Sequence, residues 1–293
     1  WTVIEPYFDE IKVKLENLND DVINKKSRIV DYSYFGFNGN YLRDVKNYED
    51  IIPAPVIEAE SKSFKDKMIV EIFSENPKDD IYYLVSIKDF DYSTMKRAFI
   101  KYKEPFFINE SSTIQAYVKS NNGQSNTISA QFFKKPNNYL INIKGKYNPQ
   151  YHAGGNDGLL DGIFGNENWR KGEWQGFQNQ DFETIIDMLE VKSISEINSN
   201  YLQDTRSWIL MPTKVDYFIS EDNITFKKVG TVENTIDPKE YETVIKSFDL
   251  KFKAQKARYI KVIATNFGKL PEWHQGFPSN GDAFIFIDEI QIK

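Results

Sequence analysis

The chain has 293 residues and a mass of 34.3 kDa, which is enough for about two domains. Aromatic residues make up 15% of it, too many for a disordered chain, and its net charge of −6 makes it a poor general binder of nucleic acid. The absence of cysteine excludes disulfides, thiolate metal sites and a cysteine nucleophile, and having only two histidines, His152 and His274, excludes a histidine-rich zinc site.

Residues 1–50 are predicted to form a short helix followed by irregular chain. Their apolar residues Phe8, Ile11, Leu15 and Leu18 are spaced as on one face of an amphipathic helix. The aromatic, turn-rich stretch 32–41 that follows favours packing against an apolar partner. The chain begins at tryptophan without a signal peptide, so we expect a processed product or an expressed fragment. No apolar run is long enough to predict a transmembrane helix.

Residues 51–135 are predicted to form a small β-sandwich. Pro53 and Pro55 mark its start, because proline ends helices and favours extended backbone. Short apolar runs then alternate with turn signals such as Asn121-Asn122-Gly123. The predicted strands are 68–73, 81–86, 98–102, 113–118 and 127–133.

Residues 136–293 have a different composition, because they begin with a long stretch rich in glycine and asparagine, and predicted strands follow it. They show almost no helical periodicity and no phosphate-binding glycine motif. About eight strands in this length predict a jelly-roll β-sandwich. The predicted strands are 140–143, 184–187, 194–201, 215–220, 224–229, 243–250, 258–264 and 283–292.

The C-terminal unit resembles the discoidin, or factor V/VIII C-type, domain, whose sugar-binding members are the family 32 carbohydrate-binding modules. The resemblance is carried by four motifs in the family's order. These are Gly158-Leu-Leu-Asp161-Gly162, the hairpin Pro212 to Val229 with Ser220-Glu-Asp222, the strand Ala257-Arg-Tyr-Ile-Lys-Val262, and the closing Ile287-Asp-Glu-Ile290. The resemblance implies an all-β chain in which an immunoglobulin-like spacer precedes a discoidin-like domain.

A narrower resemblance is to the C-terminal regions of secreted glycosidases of Bacteroidetes-type bacteria, especially family 20 β-hexosaminidases. Asn168 to Phe177 and Phe267 to His274 carry it in the C-terminal unit. Residues 53–134 are similar to the immunoglobulin-like domain that follows the barrel in such enzymes, and depart from it at 84–89, where the family's Asp-Gly turn is missing. Residues 1–50 then correspond to the end of a barrel and its linker.

The resemblance implies a structural calcium ion, which prefers oxygen ligands. Side chains of Asp161, Asn166 and Glu289 would bind it, together with backbone carbonyls of Leu159, Ile163 and Asp288. Ile163 stands where the family often has aspartate, and it can contribute only its carbonyl. In the alternative interpretation, Asp161-Gly162 is a plain turn and Glu289 a surface carboxylate.

The resemblance also implies a glycan site at the loop tips, where sugars stack on rings and bond to polar side chains. The candidate contacts are Trp169, Arg170, Arg206, Trp273 and His274. Trp208 precedes an apolar run and is predicted to be core, and Trp174 is equally suited to packing under a loop. Arg206 could instead form a plain surface pair with Asp204.

The resulting prediction is a non-catalytic, carbohydrate-binding region of a secreted, periplasmic or cell-surface bacterial glycoside hydrolase. Its partners would be a galactose-type or N-acetylhexosamine-type glycan and the parent catalytic domain, with no nucleic acid and no membrane insertion. Three alternatives stay open: a structural brace for the catalytic domain, a protein- or membrane-surface adhesin, and a carboxylate-based hydrolase.

Overall fold

The computed structural model describes residues 52–91 and 97–293, and the predicted helix in residues 1–50 lies outside them. Pro53–Lys293 forms one compact unit, in which strands occur throughout. The strands before residue 135 are β1 Val56–Glu58, β2 Ser63–Phe64, β3 Met68–Phe73, β4 Asp80–Ile87, β5 Ile100–Lys101, β6 Phe106–Ile108, β7 Ser112–Ser120, β8 Gly123–Gln124 and β9 Ile128–Lys134.

These nine strands form two sheets of a sandwich. One sheet has the order β1-β3-β6, and the other has the order β2-β9-β7-β4-β5, with β8 paired to β7. In β7, Ile114, Ala116 and Val118 are buried and the residues between them are half-exposed, as expected for a strand with one face on a core. Met68, Val70 and Ile72 of β3 supply the facing layer.

The outer face of the three-stranded sheet is unusually apolar. Val56 lies opposite Phe73, and Ile69 lies opposite Phe107, so these four side chains share one face. All four are exposed, and Phe107 is 62% accessible.

The remaining strands build a second sandwich. They are β10 Leu140–Lys144, β11 Gln175–Gln178, β12 Phe182–Gln203, β13 Lys214–Ser220, β14 Lys227–Glu233, β15 Val244–Ala264 and β16 Phe284–Ile292. One layer has the order β10-β12-β15-β13-β14, and the other has the order β11-β16-β12-β15. The all-β prediction is thereby confirmed.

Two predicted strand pairs are single long strands in the structure. Residues 184–187 and 194–201 both belong to β12, and 243–250 and 258–264 both belong to β15. The register of β12 against β15 shifts between Asp187 and Lys192, where Leu189 has a φ of 68°. Such a bulge bends a strand, so one chain segment contributes to both layers without a turn that the sequence could reveal.

A buried hydroxyl network lies between the layers. Tyr217 is fully buried, and its hydroxyl donates to the carbonyl of Phe248 at 2.6 Å and lies 2.7 Å from Ser199 Oγ. Removing this hydroxyl would take one donor from the Phe248 carbonyl and one partner from Ser199 Oγ, and the loss of buried hydrogen bonds is costly.

We therefore expect Tyr217→Phe to lower the free energy of unfolding by about 1–3 kcal/mol. Urea titration followed by tryptophan fluorescence measures this loss. Tyr147→Phe is the matched control, because the Tyr147 hydroxyl donates to Asn156 at an exposed site and its loss should change stability little. Equal effects of the two substitutions would contradict the role given to the buried network.

Candidate functional site

Three loops meet at the end of the second sandwich where β12 finishes and β15 begins. The side chain of Gln203 donates to the carbonyl of Asp237 at 2.8 Å. The hydroxyl of Thr205 donates to the carbonyls of Pro238 and Glu240. These bonds hold the loop after β12 against the loop before β15, which the sequence alone places more than thirty residues apart.

His274 fastens the third loop to the same point. Its ring is 3% exposed, Nδ1 accepts from the Gly276 amide at 2.9 Å, and Nε2 lies 2.6 Å from the carbonyl of Thr205. Because Nδ1 is an acceptor, Nε2 carries the proton and donates to Thr205. The structure thus places this predicted glycan contact inside the fold, with both nitrogens used to hold loops together.

Trp169 is also inside the fold. It is 8% exposed and packs with Trp174, Leu202, Ile209 and Phe286. Its indole Nε1 donates to Asp204 at 2.9 Å, which fixes the loop before β11 against the loop after β12. Arg170 remains exposed, and its guanidinium lies 4.0 Å from the Trp169 ring centre.

Two of the three other C-terminal tryptophans, Trp174 and Trp208, also pack within this unit. Trp174 is 1% exposed and donates from Nε1 to the carbonyl of Asn166, as the interpretation of a residue under a loop expects. Trp208 is half-buried against Leu210, Leu270 and Ala283.

Four side chains stand at the surface of the joined loops, and we call Arg206, Lys239, Tyr241 and Trp273 the loop-end surface. The Arg206 guanidinium lies 5.6 Å from the centre of the Tyr241 ring, which is 46% exposed. The Lys239 ammonium lies 5.5 Å from the centre of the half-buried Trp273 ring. Sequence reasoning selected Arg206 and Trp273 and missed Lys239 and Tyr241. Tyr241 could have been identified from the sequence, because it is an aromatic residue in a polar segment between two predicted strands.

Three buried carboxylates lie where the loop before β11 crosses β16, and we call Asp161, Asp288 and Glu289 the carboxylate cluster. They are 6%, 1% and 2% exposed. Glu289 accepts from the Gly162 amide at 3.0 Å, and Asp288 accepts from the Gly165 amide at 2.6 Å. One oxygen of Asp288 and one of Glu289 are buried without a hydrogen-bond partner.

Burial makes ionisation of these carboxylates less favourable. Desolvation raises the pKa of Asp161 to about 6, that of Asp288 to about 8 and that of Glu289 to about 9. The charge of Asp161 raises the pKa of both other groups further, so the three side chains share one electrostatic environment. Such a cluster favours a cation or protons over three bare negative charges.

The other residues of the predicted calcium site surround this cluster in different ways. Leu159 has its side chain in the core, and Ile163 is half-buried with its amide donating to Asp161 at 2.8 Å. Asn166 is exposed, and its side-chain oxygen accepts from the Asn168 amide. Within residues 52–91 and 97–293, no three acidic or histidine side chains are grouped as a metal centre. A cation here would therefore need backbone carbonyls as well as carboxylates.

Asp161 borders a polar cavity of about 640 Å³ between the two sandwiches. Lys135 and Asp157 form an ion pair of 2.8 Å in its wall, and Lys62 lies 3.8 Å from Glu173. Asp161 is the member of the carboxylate cluster that lines this cavity.

Residues 141–280 match the family model of the F5/8 type C domain. The match confirms the predicted discoidin-like second sandwich. Comparison with curated proteins gave no significant match. No helix among the described residues is long and apolar enough to cross a membrane.

Solved structures resemble about half of this chain. A CBM32 module from Clostridium perfringens, solved in complex with GalNAc-β-1,3-galactose, is 19% identical, with 53% of this chain and 94% of that chain covered and a TM-score of 0.34. The C-terminal domain of a chitobiase from Bacteroides fragilis is 19% identical, with 53% and 92% covered and a TM-score of 0.33. A fragment of a chitobiase from Bacteroides thetaiotaomicron is 12% identical, with 53% and 87% covered and a TM-score of 0.34.

Proposed function

We propose that residues 136–293 bind a glycan through the loop-end surface, as a non-catalytic accessory region of a secreted glycoside hydrolase of the β-hexosaminidase type. The observation that carries the proposal is the joining of three loops around Thr205, which brings Arg206, Tyr241 and Trp273 to one surface. The F5/8 type C match over residues 141–280 supports it.

The chemistry of the loop-end surface suits a sugar. Tyr241 and Trp273 offer rings on which the CH face of a pyranose can stack. Arg206 and Lys239 offer only donors, which suit hydroxyl and carbonyl oxygens. Gln275 is exposed beside them and donates to the Arg206 carbonyl, which fixes the arginine's backbone. Trp169 and His274 act in this proposal by shaping the loops, since their rings are buried.

A weak glycan site can still assist an attached enzyme. A linked module raises the concentration of the catalytic domain near its substrate without forming any new catalytic contact. The proposed ligands are galactose-type or N-acetylhexosamine-type glycans. A glycan array of the folded protein, run in calcium and again in chelator, tests the proposal. A blank array in both conditions would overturn it.

The ring platform gives a sharper test. We expect Trp273→Ala and Tyr241→Ala each to weaken glycan binding by about tenfold, because stacking on an aromatic ring contributes on the order of 1 kcal/mol or more. Isothermal titration with a glycan found on the array measures the change. Phe107→Ala is the matched control, since it removes an exposed ring from the other sandwich.

The unfolding temperature shows whether a substitution removes a glycan contact or disturbs the fold. Trp273→Ala and Tyr241→Ala should leave it nearly unchanged, since both side chains are partly exposed. Unchanged glycan binding, or loss of the fold, would show that these rings are not the platform.

We also propose that the carboxylate cluster holds a structural calcium ion. Its fit rests on the two buried carboxylate oxygens without partners and on the mutual repulsion of three buried acids. Asp161 and Glu289 would supply charged oxygens, while the loop 159–166 would supply carbonyls, the oxygen set that calcium prefers. The ion would tie this loop to β16 and so support the loops at the end of the sandwich.

The alternative function, a brace for a catalytic domain, is favoured by the apolar outer face of β1-β3-β6. A face with four exposed apolar side chains is unusual on a free surface. Saturable glycan binding by the folded chain would support the carbohydrate-binding function. A blank glycan array, together with higher solubility of the Phe107→Ser variant, would support the brace.

A further inference from the structure

Three cations around the joined loops lie against aromatic rings instead of carboxylates. Arg170 lies over Trp169 at 4.0 Å, Arg206 near Tyr241 at 5.6 Å and Lys239 near Trp273 at 5.5 Å. All three are exposed. In the described part of the chain, none of the ion pairs within 4.0 Å includes any of them.

Three of the nearby carboxylates accept hydrogen bonds within the loops themselves. Asp204 accepts from the Trp169 indole and from the Ser207 hydroxyl, both at 2.9 Å. Asp237 accepts from the Lys239 amide at 2.8 Å, and Glu240 accepts from the Glu242 amide at 3.0 Å. These carboxylates stabilise the turns that display the cations, and the three cations form no ion pair within 4.0 Å in the described part of the chain.

We propose that the loop-end surface, with Arg170 beside it, selects glycans that carry a negative charge, either a uronic acid carboxylate or a sulfate. This inference rests on the proposed glycan-binding function and specifies its ligand class. A guanidinium stacked on a ring keeps its N–H edge available, and that edge matches the paired oxygens of a carboxylate or sulfate. The rings meanwhile accept the apolar face of the same sugar.

Local contacts must produce this selectivity. The chain as a whole carries a net charge of −6, so an anionic glycan is repelled at long range. Contacts at the loop-end surface act over a few ångströms and are weakened by salt. The selectivity should therefore decline as ionic strength rises, without a change in the contribution of the rings.

The test compares two trisaccharides that differ only at C6. One is a galacturonic acid trimer, and the other is the galactose trimer of the same linkage, with galactose 6-sulfate as a third probe that separates sulfate from carboxylate. We expect the acidic trimer to bind about tenfold more tightly in 0.05 M salt, since two charge-assisted contacts are worth roughly that ratio. In about 0.5 M salt the preference should largely vanish, because such charges are then screened within a few ångströms.

Charge-removing variants locate the effect. Arg206→Gln and Lys239→Gln should each reduce binding of the acidic trimer by about fivefold and reduce binding of the neutral trimer by a smaller factor, because glutamine can still donate to a sugar hydroxyl but carries no charge. Lys253→Gln is the matched control, since Lys253 is exposed on β15 nine residues beyond Val244, on the order of 30 Å away along the strand.

The outcomes separate the inference from the function on which it rests. Equal binding of both trimers, or binding of a neutral glycan alone, overturns the charge preference and leaves glycan binding in place. An equal effect of Lys253→Gln on the acidic trimer also overturns it, because attraction would then be unspecific. Absence of binding to these probes and to every glycan on the array overturns the proposed function itself.

Discussion

In millimolar calcium the protein is expected to unfold at a higher temperature than in chelator, and Glu289→Gln is expected to abolish that difference. A ligand present at about 100 times its dissociation constant adds about 2.7 kcal/mol to the free energy of unfolding when only the folded state binds it. For a chain of this size that corresponds to roughly 5–10 °C. Asp161→Asn should have the same consequence, because both carboxylates are proposed ligands.

The same substitution should act in the opposite direction in chelator. Without a cation, folding buries three carboxylates in one environment, and their raised pKa values reflect that cost. Glutamine can still accept from the Gly162 amide and carries no charge. In chelator we therefore expect Glu289→Gln to be more stable than the wild type by about 1–3 kcal/mol.

Differential scanning calorimetry of both proteins in calcium and in chelator checks these results. Glu110→Gln is the control, because Glu110 is an exposed carboxylate paired with Lys134, and its loss should matter little in either condition. Identical unfolding temperatures of the wild type in calcium and in chelator would refute the calcium site. Loss of stability in chelator for Glu289→Gln would mean that the cluster is held by hydrogen bonds rather than strained by charge.

His274→Ala is expected to lower stability and glycan binding together. The substitution leaves the buried Gly276 amide without its partner, removes one of the two donors to the Thr205 carbonyl, and opens a cavity between two loops. Two buried hydrogen bonds and the lost packing should reduce the free energy of unfolding by about 2–4 kcal/mol. The loops that carry Arg206 and Trp273 would then no longer be held to each other.

Urea titration and glycan titration of the same preparation measure the two effects. His152→Ala is the matched control, because His152 is exposed and its ring accepts from the Gly154 amide two residues along the chain, while its other bonds are made by its backbone carbonyl, so it should change neither quantity appreciably. Normal stability of His274→Ala would disprove its role in holding the loops. Normal glycan binding by a destabilised His274→Ala would place the sugar site away from these loops.

Strands and turns were predictable because their causes are local. The strand predicted at 68–73 coincides with β3, and the strand predicted at 215–220 lies within β13. Both could be predicted because apolar and β-branched residues are visible directly in the residue order. The turn after Ser220 was equally readable, and there Asp222 accepts from the Ile224 and Thr225 amides while Asn223 adopts a φ of 61°. The four discoidin motifs likewise identified the second sandwich.

Burial of the candidate site residues was decided by the tertiary structure. Tryptophan and histidine in polar loops suit a sugar platform and a loop anchor equally well by residue type. Trp169 became an anchor because Asp204 lies within hydrogen-bond reach of its indole, and His274 because the Thr205 carbonyl faces its ring. Tyr241 gained its place at the loop-end surface from the same packing.

The carboxylate cluster shows the same division. The discoidin resemblance singled out Asp161 and Glu289 as carboxylates and Asp288 as a carbonyl, and Asp161 lies more than 120 residues before the other two along the chain. Only the folded chain shows that they are buried together with oxygens left unpaired. The sequence by itself determined which residues could carry charge and which segments would be strands, because these follow from residue type and local order. Burial, charge coupling and the assembly of the loop-end surface depend on contacts between distant segments, and those exist only in the tertiary structure.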